Sequence, residues 1–129
     1  MVIIMGYFDV LIEQYQEIDS NKECYNFLGK MSITQNVYTI WIIKNNIKIK
    51  YLQLVFADNI IHATFQNQTK ITLIKNELVT ADYIIDGYKL NLEIELISYS
   101  KSETDLSLEY NLFNKGVLIT RNLLKITKK

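Results

Sequence analysis

The amino-acid sequence predicts an all-β protein, a single antiparallel up-and-down β-barrel of about eight to ten strands. Apolar and polar residues alternate with a period of two in one segment after another, as in strands with one buried face. Turn signals separate these segments at intervals of about 8–12 residues, a spacing typical of β-sandwiches and barrels. Proline is absent, and Ile, Asn, Thr and Tyr, which favour strands or disfavour helices, are abundant. The 129 residues are predicted to form one domain, residues 1–129, whose core needs no disulfide or metal.

The first two predicted strands occupy residues 8–13 and 24–33, and the apolar residues 1–5 are predicted to lead into the first of them. The even-numbered residues of the first strand are apolar and form the face predicted to be buried. A polar break at residues 19–22 separates the two strands. Gly29 lies inside the second strand, where a glycine often marks a bulge or a sharp bend.

A near-continuous apolar run at residues 37–43 predicts the third strand, and Lys44-Asn45-Asn46 predicts the turn after it. In the fourth strand Ile47, Ile49 and Tyr51 alternate with lysines that are predicted to face water. The polar positions change parity beyond Leu52, which predicts a bulge or a strand covered on both faces.

The rest of the sequence repeats this rhythm of short strands and polar turns. The clearest strand carries Leu90, Leu92, Ile94 and Leu96 on one face, with asparagine and glutamate between them. Asp86-Gly87 before it is the strongest hairpin signal, because a two-residue type I′ turn needs positive φ at both positions. The other strands are predicted at residues 60–65, 69–74, 78–85, 106–112 and 117–127. The other turns are predicted at Asp58-Asn59, residues 66–68, Lys75-Asn76, residues 100–104 and Asn114-Lys115-Gly116.

The order of these strands favours a barrel over its alternative, a β-sandwich. Short turns allow each strand to pair with its sequence neighbour, so a meander is expected. A long meander leaves two exposed edges unless the sheet closes on itself. The chain has few residues that would protect a free strand edge. A closed barrel has no free edges and therefore does not need such residues.

Three strand motifs in the C-terminal third carry a family resemblance. They are Asp86-Gly87-Tyr88-Lys89-Leu90-Asn91-Leu92, Leu108-Glu109-Tyr110-Asn111-Leu112 and Asn122-Leu123-Leu124-Lys125-Ile126. In these motifs, and in the early glycine Gly29, the chain resembles the YwiB-like family of small bacterial proteins, which have no established reaction. The resemblance implies a lipocalin-like antiparallel β-barrel and supplies no catalytic residues.

Charge and residue usage argue against several classes of partner. The 14 basic residues balance the 14 acidic ones, and Arg121 is the only arginine, so no nucleic-acid partner is expected. No apolar stretch reaches the roughly 18 residues of a membrane-spanning helix, so no membrane partner is expected either. A lone cysteine, Cys24, and the lack of a signal-peptide pattern predict a cytoplasmic protein.

The sequence predicts no enzyme, no cofactor and no metal site. His62 is the only histidine and is expected to be a surface or hydrogen-bonded side chain. Cys24 has no basic neighbours in sequence that would lower its pKa, and a buried, inert thiol is expected. Glu93 and Glu95 alternate with an apolar face and, with Glu109, are expected on a solvated outer surface.

Aromatic residues supply the candidate binding site. Trp41, Tyr51 and Tyr110 are the candidate residues for lining a ligand site inside the barrel, because such rings combine an apolar body with a polar atom. Their alternative role is core packing. The sequence therefore favours a non-catalytic binder of a small apolar or amphipathic ligand. The alternative is a structural or protein-interaction module that uses the exterior or an edge strand, as a monomer or a homodimer.

Overall fold

The computed structural model describes residues 6–65, 69–85 and 87–129, which form ten β-strands. The first five strands are β1 (Gly6–Ile18), β2 (Asn21–Thr34), β3 (Val37–Lys44), β4 (Ile47–Ala57) and β5 (Ile60–Phe65). The last five strands are β6 (Lys70–Ile74), β7 (Leu78–Ile85), β8 (Tyr88–Lys101), β9 (Asp105–Asn114) and β10 (Val117–Lys128). The predicted lead-in at residues 1–5, the turn at residues 66–68 and Asp86 of the predicted hairpin lie outside the described residues.

All ten strands belong to one antiparallel sheet, nearly closed into a barrel, in the order β6-β5-β4-β3-β2-β1-β10-β9-β8-β7. The first and last strands pair from Val10–Lys128 to Glu17–Arg121, which joins the two halves of the chain. The predicted barrel is therefore confirmed. Among the described residues no helix is long and apolar enough to cross a lipid bilayer.

The barrel closes imperfectly between β6 and β7, where the predicted pairing of sequence neighbours is wrong. No ladder joins these two strands among the described residues. A tight type I′ turn needs positive φ at both central residues, but only Asn76 of the Lys75-Asn76 pair has it, at 64°. The Asn76 amide instead donates to the Leu96 carbonyl of β8 at 3.1 Å. The Thr69 hydroxyl accepts a hydrogen bond from the Ile84 amide at 3.2 Å, which ties the edges together.

Most turns use residues that tolerate a left-handed backbone. Asn45 and Asn46 have φ of 53° and 62°, and Lys115 and Gly116 have φ of 51° and 80°. Positive φ at two successive positions matches the twist of the flanking strands, so these predicted hairpins are confirmed.

Two irregularities shape the wall around β3. A bulge places Tyr51 between the pairs Trp41–Lys50 and Ile40–Leu52, as the parity change near Leu52 predicted. On the other side of β3, Gly29 pairs with Ile42. A Cβ atom at Gly29 would overlap the carbonyl oxygen of Trp41, so only glycine allows the two backbones to approach this closely.

The core fills the inside of the barrel with aliphatic side chains from every strand. Strand alternation explains it: Val10 and Ile12 on β1 and Leu124 and Ile126 on β10 all point inward and are buried. The largest fully buried side chains are Ile12, Met31, Ile40, Leu52, Leu54, Ile61, Leu73, Ile94, Leu96, Leu106, Leu108 and Ile126.

Candidate functional site

The inward-facing side chains change from apolar to polar towards the end of the barrel where β1 ends and β10 begins. On β1, Val10 and Ile12 give way to Gln14 and Gln16, which continue the same face with amides. A cavity of about 190 Å³ lies among these residues. The cavity is lined by Gln14, Gln16, Tyr51, Leu52, Phe65, Tyr83, Tyr110, Leu112, Asn122 and Leu124.

One wall of the cavity is a polar row across three adjacent strands. Asn122 of β10 lies opposite both Gln16 of β1 and Tyr110 of β9 in the strand register. The Asn122 amide nitrogen donates to the Thr120 hydroxyl at 2.8 Å, and both residues are buried. The row therefore brings amide and phenol groups together inside an otherwise apolar barrel.

Tyr110 supplies a hydroxyl that is open to a ligand. Its side chain is only 7% exposed, and no other described residue forms a hydrogen bond with its hydroxyl. Every fully enclosed side-chain nitrogen or oxygen among the described residues has a hydrogen-bond partner, so this hydroxyl must adjoin open space. Tyr110 lines the cavity described above, which supplies that space. An unpaired donor in such a place favours a ligand or water with an acceptor atom.

The bulge in β4 creates the opposite wall. Normally neighbouring residues of a strand point to opposite faces, but the extra residue turns both Tyr51 and Leu52 towards the cavity. The Tyr51 hydroxyl donates to Oε1 of Gln14 at 2.5 Å, and its ring lies 6.3 Å from that of Phe27. These contacts hold Tyr51 in place beside the cavity.

The described residues that line the cavity include no ionised group. Burial raises the pKa of Tyr51, Tyr83 and Tyr110 above the ordinary value of 10.0, and for Tyr110 the two other phenols raise the pKa further. All three phenols are therefore protonated and neutral near pH 7. The cavity suits a neutral molecule, because a charge enclosed there would lose its hydration without gaining a counter-charge.

The raised tyrosine pKa values predict a loss of stability in alkali. A group whose pKa is higher in the folded state contributes stability that is complete below the unfolded pKa, near 10, and is lost as pH rises through the folded pKa. The urea midpoint is therefore expected to stay level up to about pH 9 and to fall above about pH 10. Tyr110→Phe should lessen that fall. An equally steep fall in the variant would show that Tyr110 ionises like an exposed tyrosine.

Two of the three residues proposed for the ligand lining meet in this cavity. Tyr51 and Tyr110 both line it, from opposite walls. Trp41 does not: it lies on the outer face, where its ring contacts Tyr7 edge-on at 6.0 Å and Lys48 lies 4.5 Å above it. The sequence could not show which face of β3 Trp41 lies on, because apolar and polar residues do not alternate in this run. The structure places it outside because Trp41 follows the inward-facing Ile40.

The other candidate chemical groups lie apart from the cavity and from one another. His62 is exposed, as predicted, with Nδ1 3.4 Å from the Thr72 hydroxyl. The prediction for Cys24 is wrong: its thiol is exposed, 3.4 Å from Oδ1 of Asn26, because Cys24 shares the outer face of β2 with Lys30, while Met31 points inward. Glu109 is exposed and Glu93 accepts a hydrogen bond from the Gly116 amide. Among the described residues no group of three or more His, Cys, Asp or Glu residues could hold a metal ion.

Several lining residues were not singled out by the sequence reasoning. Gln14 and Gln16 continue the inward parity of Ile12, and Asn122 continues that of Leu124. Tyr83 follows the buried Ala81 at the same spacing. The signal that could have found them is a polar residue at the inward position of a strand that is otherwise apolar.

Comparison with solved structures supports the fold. The chain matches the crystal structure of the ywiB protein from Bacillus subtilis with a TM-score of 0.66 and 12% sequence identity, over 98% of this chain and 95% of that one. At that identity the likeness shows a shared barrel fold, which is the fold that the resemblance to the YwiB-like family implies. No protein-family model and no curated protein sequence matches the chain.

Proposed function

Starting from this barrel, we propose that the protein is a lipocalin-like, non-catalytic binder of a small, neutral, amphipathic molecule. The observation that carries the proposal is the partly enclosed cavity with the unpaired Tyr110 hydroxyl in its wall. Gln14, Gln16 and Asn122 add amide donors and acceptors, while Phe65 and Leu124 add apolar surface. A mainly apolar pocket with a few fixed polar groups is the usual form of a small-molecule site.

The size of the cavity limits the ligand. At about 190 Å³ it is smaller than the roughly 300–1,000 Å³ of pockets for drug-sized molecules, and it is comparable with engineered cavities of about 150 Å³ that hold benzene. The ligand class we propose is therefore a single ring or a short chain that carries a hydroxyl or carbonyl group. Its polar atom would face Tyr110 and Asn122.

The lining also supports a binding role over an enzymatic one. Within the described part of the chain, the lining contains no histidine, cysteine, lysine or carboxylate that could act as a nucleophile or transfer a proton near pH 7. We further propose a cytoplasmic location, because the exposed, free Cys24 suits a reducing compartment.

Binding can be tested with three one-ring probes: phenol, toluene and benzoate. Phenol is expected to bind and to shift the side-chain amide NMR signals of Gln14, Gln16 and Asn122. Toluene should bind more weakly, and the charged benzoate should not bind at the same concentration. Tyr110→Phe should weaken phenol binding about 2- to 10-fold, the worth of one neutral hydrogen bond, and leave toluene binding unchanged.

A second variant tests whether the probe binds in the cavity. Leu112 lies half-buried at the cavity, and Leu112→Phe should fill space there and weaken phenol and toluene alike. The substitution Trp41→Phe on the outer face is the matched control and should change neither affinity. Phenol that binds equally to wild type, Tyr110→Phe and Leu112→Phe would contradict the proposal, as would shifts confined to the outer face.

A further inference from the structure

We propose that two copies of this chain pair through the free edge of β2, at residues 21–28, as antiparallel strands related by a two-fold axis. The proposal concerns the barrel exterior and does not depend on a ligand in the cavity. It rests on an unpaired stretch of strand, an apolar groove beside it, and charges that complement each other when the edge meets its own copy.

The unpaired edge follows from the registers of the two neighbouring strands. On one side β2 pairs with β1 from Ile18–Asn21 to Gly6–Ile33. On the other side it pairs with β3 only from Gly29–Ile42 to Thr34–Val37. Within the described part of the chain, residues 21–28 therefore have no ladder partner on that side. All but Phe27 of these residues are exposed.

Few of the features that usually protect an edge are present here. Native sheets block exposed edges with proline, inward-pointing charges, bulges or lysines. The chain has no proline, and within residues 21–28 Lys22 is the only lysine and Glu23 is the only charge on the inward-facing side. An unprotected strand edge offers a row of amide and carbonyl groups to another strand.

An apolar groove of about 520 Å³ continues this edge, because β2 and β3 separate beyond Gly29. Phe27, Leu28, Ile42, Ile43 and Ile49 contribute its apolar surface. Leu28 is 55% exposed, an unusual state for a leucine next to such a groove. A strand that pairs with residues 21–28 would cover Leu28 and part of the groove.

Charge complementarity favours a second copy as the occupant. A two-fold axis at Tyr25 places Glu23 of the second copy opposite Phe27, at the edge of the groove that Lys44 lines. Strand parity puts Glu23, Phe27 and Lys44 on one face of the sheet, and Lys22 on the other. The symmetry creates this Glu23–Lys44 proximity twice and brings the two Tyr25 rings together.

The dimer is expected to be weak. At roughly 3.3 Å per residue, an edge of this length gives a contact about 25 Å long and one strand wide. Such a contact buries less than the roughly 1,600 Å² of a standard interface. Light scattering after size exclusion should therefore show the mass rise from one chain towards two as concentration increases from about 10 μM to about 1 mM.

Edge variants test the surface. Leu28→Lys and Tyr25→Lys place a charge on exposed positions of the edge and should keep the mass at one chain throughout. Val117→Lys is the matched control, since Val117 is an exposed apolar residue of β10 away from this edge, and its dimerisation should equal that of the wild type. Circular dichroism establishes that each variant is folded.

Cys24 reports the register directly, because it is the only cysteine and its thiol is exposed. With the axis at Tyr25, the two Cys24 residues are diagonal neighbours, about 7–8 Å apart. A short bismaleimide should therefore link two wild-type chains, and Leu28→Lys should abolish the link. A monomeric mass up to about 1 mM would overturn the proposal. So would a dimer that neither edge variant weakens, or one that Cys24 fails to cross-link.

Discussion

Gly29→Ala is expected to lower the free energy of unfolding by about 3 kcal/mol, because the new methyl group has no room. The added Cβ would overlap the Trp41 carbonyl oxygen and would lie 2.9 Å from Cδ1 of Ile12. Relief requires β2 and β3 to move apart at the last pair that joins them, Gly29–Ile42. Urea unfolding followed by circular dichroism measures the loss as a lower midpoint.

Gly6→Ala is the matched control for this prediction. Gly6 also lies in a strand, but among the described residues its added Cβ would meet only the ring of Phe8, at 2.9 Å, which can rotate away. We expect the Gly6 variant to unfold within about 1 kcal/mol of the wild type. Equal urea midpoints for Gly29→Ala and the wild type would show that the backbones of β2 and β3 lie further apart than in the structure.

Ile126→Ala is expected to cost a similar amount, about 3 kcal/mol, through the loss of buried contacts at the joint between the two ends of the chain. Ile126 of β10 is 0% exposed and lies opposite Ile12 of β1, which is equally buried. The variant removes apolar contacts and leaves a cavity that the surrounding strands only partly fill. Small domains are stable by only about 5–15 kcal/mol, so the shift in urea midpoint should be large.

Lys125→Ala tests whether burial is the cause. Lys125 is the preceding residue of the same strand, but its side chain is exposed on the outer face. This substitution is expected to change the free energy of unfolding by less than about 0.5 kcal/mol. If both variants were equally stable, β10 would not contribute to the core as the barrel requires.

Local sequence patterns were sufficient to predict the strands and, where apolar and polar residues alternate, their buried faces. The alternation at Leu92, Ile94 and Leu96 places the buried face of β8 correctly, since side chains of a strand must alternate between two environments. The parity change near Leu52 located the β4 bulge for the same reason. Tyr51 and Tyr110 were found as cavity residues because each continues the apolar face of its own strand.

The site as a whole could not be predicted, because it depends on which strands become neighbours. The row of Gln16, Asn122 and Tyr110 forms only when β1, β10 and β9 lie side by side in one register. Trp41 sits in a run where every residue is apolar, so periodicity carried no information about its face.

The sequence by itself determined that this chain is an all-β protein of about ten strands, since hydrophobic periodicity and turn chemistry are local properties. Only the tertiary structure decided where the pairing stops. Among the described residues it left β6 and β7 without a ladder between them, and residues 21–28 without a partner strand on the side away from β1. The physical reason is that strand pairing and cavity formation depend on contacts between residues distant in sequence, and no local pattern encodes the register between them.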